Sequence, residues 1–332
     1  MRRLARFIRG RTPEPAERSD HFDGRRFHNP NPVSRGPGAL WRWYRERERN
    51  PWSRITDFAR PAPPPARADG LAVTWIGHAT TLIQAAGHNV LTDPVFSEHV
   101  GPVPGLGPRR YHPPGLAFDD LPAIDTVLIS HAHYDHLDRP TIRRLIARFN
   151  PLFVAAAGLS DWLVAAGARR IVTLDWWQDT RVGDAMTVTA TPARHWSRRG
   201  LTDRNRALWV GYWIETAGAS SLFFAGDTGF GPHFSEIRHR LGAPAVALLP
   251  IGAYAPRWFM APQHMNPQDA VQAHQELGAG HSLGIHFATF KLSDEGQWAP
   301  VAALSRARAA AGLPEANFQA PAFGQRVVFI DD

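Results

Sequence analysis

The sequence predicts an α+β fold, a large domain made mostly of short β-strands with helices between and behind them. Three observations lead there. β-like runs, alternating or continuously apolar, recur from 71 to 286 with short loops between them. Helix start signals are few and sharply placed. The chain has 332 residues, 44% hydrophobic and 20% charged, enough for one large core. Residues 1–70 stand apart: they are rich in Arg and Pro, end near the PAPPP stretch at 61–65, and are expected to form a loosely structured arm and linker with one short helix near Leu40 to Arg49. The expected division is this arm over 1–70 and one folded, catalytic domain over 71–332.

Within the domain, strands are expected at 71–76, 81–85, 89–92 and 125–130. Asp138 ahead of Arg139-Pro140 starts a helix to about Phe149, because a short polar side chain caps free N–H groups and proline is tolerated in the first turn. A strand at 152–155 follows. Ser160 then caps a helix to about Ala166, which Gly167 closes. Further strands fit 171–174, 186–191, 207–215, 221–225, 245–249 and 281–286. Asn266-Pro267 starts a helix to about Leu277, and a last helix occupies 297–311.

The chemistry gathers where strands end. His131, Ala132, His133, Tyr134, Asp135 and His136 form an HxHxDH run directly behind the apolar stretch 126–129. In extended backbone His131 and His133 point to one side and can hold one ion. A turn into a helix at Asp135 and His136 would swing the next two ligands toward a second position. Two-metal catalysis needs about three protein ligands per ion, a bridging carboxylate and open coordination for water and substrate. Three further candidates each follow a β-like run: His195 in TVTATPARH, Asp227 in FFAGDTG and His286 in LGIHFATF. The expected assignment is His131, His133 and His195 on one ion, Asp135, His136 and His286 on the other, and Asp227 bridging. Imidazole and carboxylate donors suit two zinc ions, with iron or manganese as alternatives. A lone strand-end His is usually an ordinary polar residue; three His and an Asp within six residues have no packing purpose, and desolvating them without a cation is costly.

The HxHxDH run, the later His, the GDTG turn and the final strand-end His resemble the metallo-β-lactamase superfamily. That resemblance implies an αββα sandwich, two mixed β-sheets flanked by helices, with the metals at one sheet edge. The segments LTDPVFS (91–97), ISHAHYDHLD (129–138), LDWW (174–177), FFAGDTG (223–229), IGAYAPRWFM (251–260), QHMNPQDAVQAH (263–274) and IHFATF (285–290) resemble the N-acylphosphatidylethanolamine-hydrolysing phospholipases D. They span about 72–292. The implied activity is dinuclear-zinc hydrolysis of a phosphodiester, releasing an N-acylethanolamine and leaving phosphatidic acid, by an enzyme that forms dimers. By the same resemblance His264 matches a catalytic His, expected to protonate the leaving alkoxide; Tyr134 and Gln263 are expected to hydrogen-bond a phosphate oxygen. His78 in WIGHATT and Asp93 in LTDP are expected to brace ligands. Trp258, Phe259 and Met260 are candidates for acyl-chain contact, ahead of Trp176, Trp177 and Trp196. His233, His239, His274 and His281 read as structural or solvated. The same metals would equally serve a soluble hydrolase of another ester, such as a lactone or sugar phosphate, or a metal-dependent binding protein.

Composition narrows the partners. No run of 18 apolar residues exists and no secretory h-region, so a cytoplasmic chain is expected. Zero cysteines exclude disulfides and thiolate ligands. The formal net charge is +7, yet residues 1–50 hold 13 Arg against 6 acids, leaving 24 against 24 for the rest. The basic character belongs to the arm, which argues against nucleic acid at the core. Leu4, Phe7 and Ile8 among Arg2, Arg3, Arg6, Arg9 and Arg11 suit peripheral contact with anionic lipid.

Overall fold

A computed structural model of the protein describes residues 18–32, 36, 38–48, 50–103, 105–184, 186–216 and 221–329. The basic segment from Met1 to Arg11, the candidate for lipid contact, lies outside them.

Two seven-stranded sheets face each other, and each repeats one plan: an antiparallel meander that passes into parallel strands once helices begin to make the connections. In the first, β1 (Leu71–Gly77), β2 (Thr80–Ala85) and β3 (His88–Thr92) run antiparallel, and β4 (Thr126–Ile129) then pairs with β3 in parallel. Helices α2 (Arg139–Phe149) and α3 (Ser160–Ala166) carry the chain to β5 (Leu152–Ala156) and β6 (Ile171–Leu174). In the second, β7 (Asp179–Val182), β8 (Met186–Pro192), β9 (Val210–Thr216) and β10 (Ser221–Phe224) are antiparallel; β11 (Val246–Pro250), β12 (His281–Ile285) and β13 (Phe318–Gln319) follow in parallel. They are joined through α4 (His233–Leu241), α6 (Pro267–Leu277) and α7 (Ala299–Ala311), while β14 (Arg326–Phe329) returns to pair antiparallel with β1. Parallel connections need crossovers that cover the sheet, and every residue of the parallel strands β4, β5 and β11 is buried. The result is the expected αββα sandwich.

The core is shared. Trp75, Leu82, Val127 and Leu128 of one sheet pack in the same cluster as Tyr212, Phe223, Phe224 and Leu248 of the other. Tyr212 Oη donates across the sandwich to the Ile129 carbonyl at 2.8 Å. At the same end Val210 N–H donates to the Ser130 carbonyl (3.0 Å) and His286 N–H to the His78 carbonyl (2.9 Å). These bonds pin the strand ends that precede the HxHxDH run.

Several elements differ from expectation. β7, β13, β14, α4 and the short α5 (Arg257–Met260) were not expected. Asp138 precedes α2, but its side chain makes no cap hydrogen bond; Oδ2 accepts from Ser97 and Thr141 instead. Ser160 is the first helical residue rather than the cap. Asn266 does close a capping box with Asp269. The short helix of the arm, α1 (Ala39–Glu46), ends earlier than expected.

The segment before α1 is more than a linker. Phe22 and Phe27 are buried in the main core, 6% and 1% exposed, and Phe27 N–H donates to the Asn205 carbonyl. His21 stacks on Trp176 at 4.1 Å and bonds Asp175 at 2.7 Å. Phe27→Ala is therefore expected to lower unfolding stability by about 3–5 kcal/mol, the usual cost of emptying a buried phenyl site; chemical denaturation measures it, and a change below 1 kcal/mol would place the segment outside the cooperative core.

Candidate metal centre

The HxHxDH run lies just past β4, in a loop and not in a strand that continues into a helix. His136 and Leu137 N–H both return to the His133 carbonyl, and α2 begins only at Arg139. This tight turn, together with the ends of β8, β10 and β12, gathers the ligands.

On one side His131 Nε2 and His195 Nε2 lie 2.8 and 3.2 Å from His133 Nδ1, with the three rings nearly perpendicular. Nitrogens bound tetrahedrally at zinc distances would sit about 3.3 Å apart, so the tripod is close to closed around one ion. On the other side His78, Asp135, His136 and His286 form a second group. Asp227 stands between the two. Its Oδ2 is 3.2 Å from His136 Nε2 and 3.7 Å from His195 Nε2, and its Oδ1 is 3.2 Å from His286 Nε2. Every predicted ligand thus lies in one cluster, whose second group also takes in His78.

Hydrogen bonds behind the ligands set which ring nitrogen faces inward. His195 Nδ1–H donates to the Gln263 carbonyl at 3.0 Å, leaving Nε2 bare. His136 Nδ1–H donates to Asp93 Oδ2 at 2.7 Å. Ser130 Oγ donates to Asp93 Oδ2 at 2.5 Å and accepts from His131 Nδ1–H at 2.9 Å. One buried carboxylate therefore orients two ligands, one directly and one through a hydroxyl. His78 Nε2–H donates to Asp135 Oδ2 at 2.9 Å and holds that carboxylate in turn. His78, Asp93 and His286 all carry positive φ, of 54°, 33° and 64°, strained backbone that the packing around them must hold.

The electrostatics leave the cluster ready for cations. Burial, with the neighbouring imidazoles, pushes His133 and His78 down to about 3, and burial takes His195 down to about 4. Those rings are neutral near pH 7, with lone pairs free to ligate. Burial would also depress His136, but Asp227 and Asp135 outweigh it and push its pKa well above the usual imidazole value. Burial likewise raises Asp227, yet His136 and His286 hold it well below the carboxylate range. His133 Nε2, His136 Nε2, His286 Nε2 and Asp227 Oδ1 are buried without a hydrogen-bond partner. Such atoms cost free energy unless something satisfies them. A pair of divalent cations fits that donor set, the orphaned atoms of His136, His286 and Asp227 lying where ligands must point.

The other expected site residues divide. His264 is buried beside the cluster, Nδ1 3.9 Å from Asp227 Oδ2, and burial holds its pKa well below 6.5, so the ring is neutral. Gln263 contributes through its backbone carbonyl, and its side-chain amide approaches Met260 Sδ at 3.9 Å. The expected phosphate-donor role of Tyr134 is corrected: its single hydroxyl proton goes to the Arg199 carbonyl at 2.6 Å. Phe259 and Met260 are also corrected as open acyl contacts. They are 7% and 6% exposed beneath α1, where Trp43 stacks on Phe259 at 5.1 Å, whereas Trp258 is 41% exposed. Trp176 is buried against His21, and Trp196 packs edge-on against His133. His233, His274 and His281 bond Thr228, Ser282 and the Ala316 carbonyl, away from the cluster.

Sequence reading missed Arg199. Its Nη1 donates to the carbonyls of Ala132 (2.8 Å) and Leu137 (2.7 Å), bracketing the ligand loop, and its guanidinium lies 4.1 Å from the Tyr134 ring and 4.7 Å from that of Trp162. Ser130 and Asn29, whose Nδ2 donates to the His195 carbonyl at 2.9 Å, were missed as well. Arg199 and Asn29 carry no local signal, since each acts on backbone brought near only by folding; Ser130 adjoins His131, but its tie to Asp93 exists only in the fold.

A sandwich with a His/Asp cluster at one end of both sheets defines a metallo-hydrolase class, and comparison with known proteins agrees. The β-lactamase superfamily domain matches residues 88–287. The chain belongs to that superfamily. It is similar to an N-acyl-phosphatidylethanolamine-hydrolyzing phospholipase D of Caenorhabditis elegans, 38% identical over 67% of this chain and 65% of the relative, and to the mitochondrial one of Saccharomyces cerevisiae, 35% identical over 67% and 48%. It therefore spans under two thirds of either relative. An uncharacterized protein of Mycobacterium tuberculosis is 41% identical over 78% of this chain and 69% of its own. Among solved structures, a metallo hydrolase of Ignicoccus hospitalis superposes with a TM-score of 0.61 at 22% identity, over 79% of this chain and 99% of that one, which speaks to the fold.

Asp93→Asn would keep the shape but weaken the acceptor behind His136 and Ser130. Metal affinity is expected to fall about 10–100-fold, measured by competition with a chromophoric chelator; wild-type affinity would show that Asp93 does not orient the ligands.

Proposed function

We propose that this protein is a dinuclear-zinc phosphodiesterase that cleaves N-acylphosphatidylethanolamine-type phospholipids to N-acylethanolamine and phosphatidic acid. One observation carries the reading: Asp227 stands between two ligand groups, with the buried His264 beside it, Nδ1 3.9 Å from Asp227 Oδ2. His131, His133 and His195 would hold one cation and Asp135, His136 and His286 the other. When bound, such a pair supplies a water acidic enough to ionise near neutral pH and positive charge against which a phosphoryl transition state develops.

The protein's own groups do the rest. Asp135, fixed by His78, and Asp227 keep the two positions apart and charge-balanced. Burial keeps the His264 ring neutral, but the negative charge of a phosphodiester beside it favours the protonated form, and that form can deliver a proton to the departing alkoxide. Support for a lipid substrate comes from α1. Leu40, Trp41 and Tyr44 are 65%, 64% and 66% exposed among Arg42, Arg45 and Arg47, an arrangement suited to a membrane interface, and the opposite face of the helix packs on Phe259 beside the site. Among the described residues no helix is long and apolar enough to cross a membrane, so contact of this kind would be peripheral.

Purified protein is expected to contain about two metal ions per chain by elemental analysis and to convert N-acylphosphatidylethanolamine in mixed micelles into the two products. His131→Ala and Asp135→Asn are expected to abolish turnover. A folded, metal-loaded sample that hydrolyses a lactone or sugar phosphate and leaves the phospholipid intact would replace this reading with the soluble-hydrolase one. His264→Gln is expected to lower kcat by about 10²–10⁴-fold with metal content unchanged; loss of metal in that variant would make His264 a ligand-supporting residue.

A further inference from the structure

A cavity of about 740 Å³ opens beside the metal loop, walled by Ser97, Tyr134, Arg139, Arg143, Trp162 and Arg199. Its charges are unevenly satisfied. Glu98, which also borders it, is taken up by Arg54 at 2.7 Å and Arg109 at 2.9 Å. Asp138 accepts from the hydroxyls of Ser97 and Thr141, and Arg199 is committed to the carbonyls of the metal loop. Arg139 and Arg143 remain. They stand one turn apart on α2, where like charges repel, and among the described residues neither pairs with a carboxylate. Arg144 and Arg148 on the same helix both reach Asp119, at 3.5 and 3.7 Å. All four are exposed; the difference is that Arg144 and Arg148 turn toward Asp119 while Arg139 and Arg143 line the cavity. Arg139 also lies 5.7 Å from the Trp162 ring, which limits where its guanidinium can turn.

We propose that this cavity binds a phosphate monoester, held by the paired forks of Arg139 and Arg143 with Ser97 on the same wall. Guanidinium forks match phosphate oxygens two at a time, and a monoester carries the charge to balance both. Beside the charged groups, Trp162, Pro140, Pro102 and Val103, the last 51% exposed at the rim, supply apolar wall, so the ligand has a carbon body as well as a charged head. Phosphatidic acid, the monoester that the proposed reaction leaves behind, has that form; this choice of ligand rests on the reading above, whereas the monoester chemistry does not. Tyr134 belongs to both the cavity wall and the metal loop, so an occupied cavity sits directly against the loop that carries His133 and Asp135.

The test is equilibrium binding to metal-loaded protein of glycerol 3-phosphate and of a short-chain phosphatidic acid below its micelle concentration, with short-chain phosphatidylcholine as control. Saturable monoester binding is expected, weakened about tenfold or more in the Arg139→Ala/Arg143→Ala protein, as loss of charge-assisted hydrogen bonds requires, with metal content unchanged. Arg139→Lys/Arg143→Lys is expected to recover only part of it, restoring the charge without the bidentate fork. Tighter binding of phosphatidic acid than of glycerol 3-phosphate makes the source a lipid; equal affinities make it a soluble monoester, and both support the site. Equal binding by wild type and the alanine protein overturns it, as does binding that chelation abolishes and the alanine changes leave intact, which would put the phosphate on the ions. Should the alanine protein not fold, Arg143→Glu carries the same test. A protein that binds monoester here yet leaves N-acylphosphatidylethanolamine uncleaved would overturn the proposed function and leave the cavity's assignment standing.

Discussion

Six imidazoles and two carboxylates are packed at one end of the sandwich with almost no water-facing surface, and the rest of the structure is arranged around their need for compensation. Bare nitrogen lone pairs brought within about 3 Å repel one another, and the inward carboxylate oxygens meet imidazole edges only at ion-pair distance. Within the tripod only His133 can relieve it, by carrying its proton on Nδ1 and leaving Nε2 orphaned, because the outward nitrogens of His131, His136 and His195 are already spent on Ser130, Asp93 and the Gln263 carbonyl. Positive charge from outside is the remaining remedy. The apparent tension between burial, which depresses most of the imidazoles, and the carboxylates, which lift His136 alone, is what a site awaiting cations should display.

Such a cluster holds its geometry only if the two sheets cannot slide. Ligands from the first sheet's loop must meet those at the tips of β8, β10 and β12 to within a few tenths of an ångström. The seam supplies this through two backbone bonds, Val210 to Ser130 and His286 to His78, and one hydroxyl, Tyr212 reaching from one sheet to the carbonyl of Ile129 in the other. Arg199 works at the open side of the same loop, where no strand can reach, and replaces the missing neighbour by gripping carbonyls on both sides of the HxHxDH turn. Its burial lowers the guanidinium's pKa to about 10, which still leaves it charged at any physiological pH.

Much of this was legible in the sequence, for a physical reason. Ligands cluster because an ion draws several donors to one point, and when four of them share a single turn the sequence shows it directly; the downstream three are found by asking which strands end in a suitable donor. Eleven strands were readable because their apolar content is continuous or alternating. The elements that escaped lack such signals. β7 is a polar edge strand with the sequence DTRV, β13 has two residues, and α4 begins at Pro232 with no capping side chain. Tyr134 was misread because its role depends on where a loop 65 residues later passes, and Phe259 because α1, far earlier in the chain, lies over it.

The segment at 18–32 looks dispensable in composition, yet Asn29 holds the main chain of His195 while Phe22 and Phe27 sit in the core beneath it. A ligand of the first ion is thus propped from outside the sandwich. Any shortened chain cut at the tempting boundary before Leu71 would keep all seven donors and still present one of them on an unsupported loop, so trimming this protein for crystallisation or engineering should stop short of Arg18.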